Sequence, residues 1–392
     1  MNQRTAPISL LLISYFIFFA MAIPSGILNV AWTYMQGTYS VSLDALGVIL
    51  FANLVGGLLG TFFSGRIIER FGVGRFLASG ALLAALGLLT YGIAPSWALL
   101  IGAAFFTSLG ISILNAALNL FVSANYTTGQ LNWLHACFGL GLTVGPTLAT
   151  LIVTQWGQSW HLSYLIVLLV MVVVAAIILV TRDRWIMTDE RNLGEQATRA
   201  SLSESLRIPA VLLGMATFFS FAGVVWGTGQ LSSTLLTARG IEQAGFWVSL
   251  YWGSFTAGRL IMGFIADRID NDRLIRACMI GGTVGALLLW QTASSPLNLV
   301  GLALIGLACA PLYPTLVAAT RRRVGLRHRT NAIGFQIACS SLGQTVIPGA
   351  FAWIADHTAI GVIAVLPVVG IVLVLVLQEF AVRQRQVAPV SV

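Results

Sequence analysis

The sequence predicts an all-α membrane protein of twelve transmembrane helices, built as two six-helix bundles related by a pseudo-twofold axis along the membrane normal. Three observations predict it. Apolar residues make up 57% of the 392 and charged residues only 9%, with a mean hydropathy of +0.89, whereas a soluble domain carries roughly 25% charge. Apolar runs long enough to cross a bilayer recur twelve times; a helix needs about 20 such residues to span a hydrocarbon core of roughly 30 Å. Landmarks of the first six runs return in the second six.

Taken in order, the first run covers 8 to 34 and carries Pro24 and Gly26. Arg4, the apolar run and Ala20-Met21-Ala22 have the outline of a secretory signal. The run continues past that cleavage-like site and further spans follow, so an uncleaved first helix is expected. The second run, 42 to 65, ends at a cluster of arginines, and the third covers 74 to 94. The fourth and fifth, 97 to 122 and 131 to 154, hold amides, and the sixth is 161 to 181. The second block reads 209 to 236, 243 to 266, 273 to 293, 297 to 320, 330 to 353 and 359 to 380. Gly and Pro interrupt many of these runs and no alternation of about ten residues appears, which predicts helices rather than barrel strands. The polar stretch 182 to 208 carries five acids and five arginines and reads as a cytoplasmic linker. It leaves an N-terminal bundle, 1–181, and a C-terminal bundle, 209–392.

All 21 basic residues are arginine. They cluster before the first span, in the second, middle, eighth and tenth loops and in the tail. Only Arg239 falls in a loop on the opposite side. The positive-inside rule therefore places both termini in the cytoplasm, and the chain in the cytoplasmic (inner) membrane with the bilayer as its surroundings. Topology accounts for the net charge of +8 without a nucleic-acid partner. Cys137, Cys278, Cys309 and Cys339 all fall inside apolar runs with no metal-ligand spacing. No metal, cofactor or convergent catalytic set is expected, and the chain does not read as an enzyme.

Shifting one half over the other by 198 residues superposes Gly60 on Gly258, Gly65 on Gly263, Glu69 on Asp267, Arg70 on Arg268 and Arg75 on Arg273. A shift of 202 superposes Cys137 on Cys339, Gly141 on Gly343 and Pro146 on Pro348. Six spans per repeat keep both halves in one orientation, so the repeats are parallel. The segment Gly65-Arg66-Ile67-Ile68-Glu69-Arg70-Phe71-Gly72 and its echo from Gly263 to Arg268 read as charged turns. They resemble the Gly-x-x-x-Asp-Arg signature of major facilitator superfamily transporters, and the resemblance covers the whole chain. It implies alternating access by the two halves, with Gly65, Glu69, Arg70, Arg75, Gly263, Asp267 and Arg268 as a cytoplasmic gate. The Gly141-x-x-x-Gly145-Pro146 element of the fifth span fits close packing and a kink.

A closer resemblance is carried by Gly110-Ile111-Ser112-Ile113-Leu114-Asn115-Ala116-Ala117-Leu118-Asn119, by Leu131-Asn132-Trp133-Leu134-His135 and by Pro311-Leu312-Tyr313-Pro314-Thr315. These look like the fucose-proton symporter branch. The chain departs from it at Asn115, where that branch typically has a carboxylate, so its proton-coupling role does not carry over. In the superfamily the first, fourth, seventh and tenth helices line the path. The resemblance thus points to Asn29 and Trp32, Asn115 and Asn119, Trp226 and Gln230, and Tyr313 as substrate-binding, with Asn132 and His135 on the fifth helix and Gln336 and Ser340 on the eleventh. Asn115 and Asn119, four apart, share a helix face, and a buried amide in lipid must find a partner in another helix or in a ligand.

By this reading none of the 13 acids lies mid-span, leaving His135 as the proton-coupling candidate. Amides, hydroxyls and indoles suit a small neutral polar solute, most simply a sugar or polyol. The expectation is a monomeric secondary transporter; the alternative is a drug or metabolite exporter of the same superfamily, working as a proton antiporter. Arg259, inside the eighth run, is the charged exception. It either snorkels to the cytoplasm or contacts an anion.

Overall fold

The computed structural model describes residues 7–62, 64–186, 201–265 and 269–387. Among the described residues every regular element is a helix. The chain divides into two compact units, Met1–Gly194 and Glu195–Val392. The first contains α1 (Ile8–Tyr39), α2 (Leu46–Phe62), α3 (Ser64–Phe71), α4 (Val73–Ile93), α5 (Trp97–Asn125), α6 (Thr128–Thr150) and α7 (His161–Thr181). The second contains α8 (Leu202–Leu206), α9 (Pro209–Ala238), α10 (Ala244–Ile265), α11 (Asn271–Trp290), α12 (Ser295–Cys309), α13 (Leu312–Arg323), α14 (Arg329–His357) and α15 (Val365–Val387). Among the described residues eleven spans, one of them built from α12 and α13 together, are long and apolar enough to cross a membrane. The remaining helix, α10, has 22 residues, or about 33 Å at about 1.5 Å per residue.

The repeat reappears in the packing. In the first unit α1 lies on α6, α2 on α5, and α4 on both α5 and α7; in the second α9 lies on α14, α10 on α12, and α11 on both α12 and α15. Repeated glycines hold corresponding contacts. A β-carbon at Gly141 of α6 would lie 2.2 Å from the Phe19 carbonyl oxygen of α1, and one at Gly343 of α14 would lie 2.0 Å from the Phe219 oxygen of α9. Lipid tails are as apolar as the side chains, so backbone approach through small residues supplies the van der Waals contact that holds such helices together.

Two sequence expectations need correction. The signature after the second span is not a turn: Ser64–Phe71 forms α3, and the left-handed backbone is confined to Gly72, with φ 83°. Its Ile68 is buried while Glu69 and Arg70 are exposed, so an amphipathic face keeps the segment helical. The tenth span runs Ser295–Thr320 as expected, interrupted between α12 and α13 at Ala310 and Pro311, where Pro311 and Pro314 remove backbone donors. The last span continues to Val387, which puts Glu379 about two turns inside the helix rather than at its end.

The closing part of the predicted linker is docked on the C-terminal unit. Ser201 caps α8 by accepting from the Glu204 amide, and Ser205 Oγ lies 3.0 Å from His328 Nδ1 and accepts from Asn331 Nδ2 at 2.9 Å. Residues 187–200 of that stretch lie outside the described residues.

Candidate functional site

In the first unit the structure brings three of the expected site residues into one hydrogen-bonded line. Asn115 and Asn119 occupy successive turns of α5, and the Asn119 amide nitrogen donates to the Asn115 backbone oxygen at 2.9 Å and also to its side-chain oxygen. That use of the nitrogen turns the Asn119 oxygen toward α6, where it meets His135 Nε2 at 3.1 Å. An amide oxygen can only accept, so Nε2 carries the proton in this arrangement. His135 meets Phe18 of α1 edge-on, with ring centroids 5.7 Å apart. Asn115 and His135 are exposed and Asn119 is half-buried. A line of donors and acceptors on the accessible face of apolar helices can exchange water for the hydroxyls of a solute.

The other expected residues fall in different settings. Asn29 and Trp32 of α1 are both buried, and the indole of Trp32 packs 6.1 Å from Trp97. Trp32 Nε1 has no hydrogen-bond acceptor among the described residues. In the second unit Trp226 is half-buried, 5.3 Å from Trp252, and Gln230 one turn later is buried. Tyr313 of α13 is half-buried and meets Phe218 of α9 edge-on at 5.4 Å.

Gln336 is 1% exposed and bonds to Thr320 of α13, donating from Nε2 at 3.0 Å and accepting at Oε1 at 3.2 Å. Its nitrogen occupies the space over Gly214 of α9. This amide therefore joins three helices of its own unit, while Ser340, one turn on, is half-buried. The side chain of Asn132 lies outside the described residues.

Of the expected gate, Glu69, Arg70 and Arg75 are exposed, and the Arg70 guanidinium stands 5.3 Å from the ring of Phe71. Gly65 lies in the first turn of α3 and Gly263 in the last turn of α10, but their immediate surroundings, and Asp267 and Arg268 altogether, lie outside the described residues. Among the described residues no His, Cys, Asp and Glu cluster could hold a metal ion.

Sequence reasoning did not find the polar joints inside the second unit. Asp272 of α11 accepts from Arg323 Nη2 of α13 at 2.5 Å and from Gln378 Nε2 of α15 at 3.1 Å, while Arg276 forms a two-pronged bond to Glu379 at 2.5 and 2.9 Å. Charged residues just inside helix ends were the available signal. Spacing along one helix could not supply their partners.

Two bundles of membrane-spanning helices, repeated in sequence and in packing, with a polar line across apolar helices, define a multi-pass integral membrane protein. The family model of the Major Facilitator Superfamily matches residues 14–243 and again 235–389, and the chain belongs to that superfamily. It is 23% identical over 342 residues to a glucose/mannose transporter of Bacillus subtilis, covering 83% of each chain. It is 22% identical over 329 residues to a glucose/galactose transporter of Brucella abortus, covering 78% of each. The crystal structure of the fucose:proton symporter of E. coli matches with a TM-score of 0.65 at 17% identity, over 96% of this chain and 99% of that one.

Proposed function

We propose that the chain is a secondary transporter that moves a small, neutral, polyhydroxylated solute, a sugar or polyol, across the cytoplasmic membrane by alternating access of its two units. The observation that carries this reading is the line Asn115, Asn119, His135, which offers donors and acceptors from two helices on an accessible face. Likeness to glucose/mannose and glucose/galactose transporters supports the solute class. The arginine-rich helix ends face the cytoplasm, with both termini on that side. Gly65, Glu69, Arg70 and Arg75, together with Gly263, Asp267 and Arg268, form the gate there, and the functional unit is the monomer.

With Asn115 where a carboxylate would otherwise stand, transport is facilitative. The experiment is glucose counterflow and net flux in liposomes containing the purified chain. Asn119→Ala should weaken solute binding by about 1 to 3 kcal/mol while leaving the fold intact, because it removes the joint between Asn115 and His135. Unchanged affinity would refute the site. Net flux should vary little between about pH 6 and pH 8, the range in which an ordinary histidine titrates near 6.5. Gradient-driven accumulation lost in His135→Gln, with counterflow kept, would instead make His135 the proton carrier.

A further inference from the structure

Arg259 sits on α10, six residues before that helix ends at Ile265. Its turn-by-turn neighbours decide which way it faces. Trp252, Phe255 and Arg259 are three and four residues apart and share one stripe. Trp252 is 1% exposed, and a β-carbon at Gly229 of α9 would lie 2.4 Å from its ring, so this stripe packs toward α9. The residues on the other side of the helix, Leu260 and Ile261, are the exposed ones. Arg259 therefore belongs to the inner stripe of its unit and not to the outward, lipid-suited face.

There its guanidinium stands 4.5 Å from the ring centroid of Phe255. Among the described residues no carboxylate pairs with it and no acceptor takes a hydrogen bond from it. Other arginines of the same unit differ. Arg276 has Glu379, Arg323 has Asp272, and Arg239 has backbone carbonyls. A guanidinium has five N–H donors and no acceptor. The aromatic ring offers a cation–π contact but no oxygen acceptor, so the N–H donors, whose paired arrangement matches the two oxygens of a carboxylate or phosphate, are left for a ligand. A charged side chain kept within a membrane span without a counter-charge marks a ligand position.

We propose that Arg259, beside Phe255 on the inner stripe of α10, is an oxyanion-binding site that receives a carboxylate or phosphate group. This goes beyond the sugar-hydroxyl reading and does not rest on it. The oxyanion comes either from an acidic hydroxylated solute or from a phospholipid headgroup, and the experiment separates the two.

Thermal unfolding of the purified chain in neutral detergent is followed with sodium gluconate, with inorganic phosphate and with glucose, against sodium chloride of equal ionic strength. The proteins compared are the parent, Arg259→Gln and Arg259→Lys. A second series uses nanodiscs of phosphatidylglycerol or phosphatidylcholine. The soluble-solute form expects saturable stabilisation of the parent by gluconate or phosphate, weakened about tenfold or more in Arg259→Gln. Arg259→Lys, which keeps the charge and loses the fork, falls between. The glucose response stays unchanged in both variants. The headgroup form expects the stabilisation to come from phosphatidylglycerol and to vanish in Arg259→Gln. If no oxyanion acts beyond the chloride control, or if all three proteins respond alike, the proposal is wrong. Should the Gln variant not fold, undiminished oxyanion affinity in Arg259→Lys is by itself enough to overturn it.

Discussion

Under the 198-residue shift that aligns the halves, Gly74 falls on Asp272, and the two units join their arginine-rich helix ends differently there. In the first, a β-carbon at Gly74 would lie 1.9 Å from the Arg182 carbonyl oxygen, so α4 starts directly against the backbone at the end of α7. In the second, α11 starts with Asp272, and the carboxylate reaches Arg323 on α13 and Gln378 on α15. At the opposite ends a shift of 200 sets Tyr39 against Arg239. The Tyr39 hydroxyl donates to Ala94 O at 2.8 Å, just past α4, inside a ring of aromatics that includes Trp97 and Trp160. Arg239 donates to Leu289 O at 2.6 Å, to Asn298 Oδ1 at 3.0 Å and to Trp290 O at 3.3 Å, at the end of α11. One half of a duplicated fold thus closes with neutral, close-packed contacts and the other with charge. A cation over a helix C-terminus also meets the negative end of the helix dipole, which gives Arg239 a structural role at the end of α11.

The largest effect expected from this contrast is at the end of α11. Arg239→Met should destabilise the protein by about 2 to 3 kcal/mol, because bonds from a charged donor to several acceptors are lost. Tyr39→Phe removes a single neutral bond and should cost about 1 kcal/mol. Thermal or chemical unfolding in detergent compares the two, and equal losses would erase the distinction between the halves. Next comes Asp272→Ala, expected to cost about 2 kcal/mol because Arg323, 11% exposed, is left with only Gln378. Arg276→Gln should cost far less than Asp272→Ala, since its pair with Glu379 is 42% and 35% exposed and solvent screens it. A loss at Arg276 as large as that at Asp272 would mean that exposure is not what ranks these joints.

The smallest effect is a pH dependence confined to α8. The Ser201 backbone N–H, and then Arg327, hold the Glu204 carboxyl below its ordinary 4.5. A depressed carboxylate contributes stability that is complete above its ordinary value and is lost as pH falls through the lower folded value. The hydrogen-exchange protection factors of α8 should therefore fall on acidification below about 4.5. Glu204→Gln should remove that dependence while leaving α9 unaffected.

Much of the fold is legible in the residues because the bilayer imposes one length and one polarity on every span. The twelve runs, the parallel repeat, and the packing role of Gly141 and its partner Gly343 all follow from local composition and spacing. The motif at Gly65 to Gly72 was legible as charged but not as helical, since its outcome depended on what Ile68 could bury against. For the site, the pairing of Asn115 with Asn119 is a matter of helical period. Their link to His135 crosses from α5 to α6, and no period reports that.

The amino-acid sequence by itself determined the class, the number of spans and the division into two halves, because hydrophobic length against a fixed membrane thickness needs no tertiary information. Only the tertiary structure decided which polar groups meet. It put Gln336 against Thr320, turned Arg239 onto the end of α11, and set Arg259 over Phe255 on the inner stripe. Hydrogen bonds and charge pairs act over a few ångströms between atoms of different helices, so packing alone fixes whether a polar residue in a span is joined, capped or left facing a ligand.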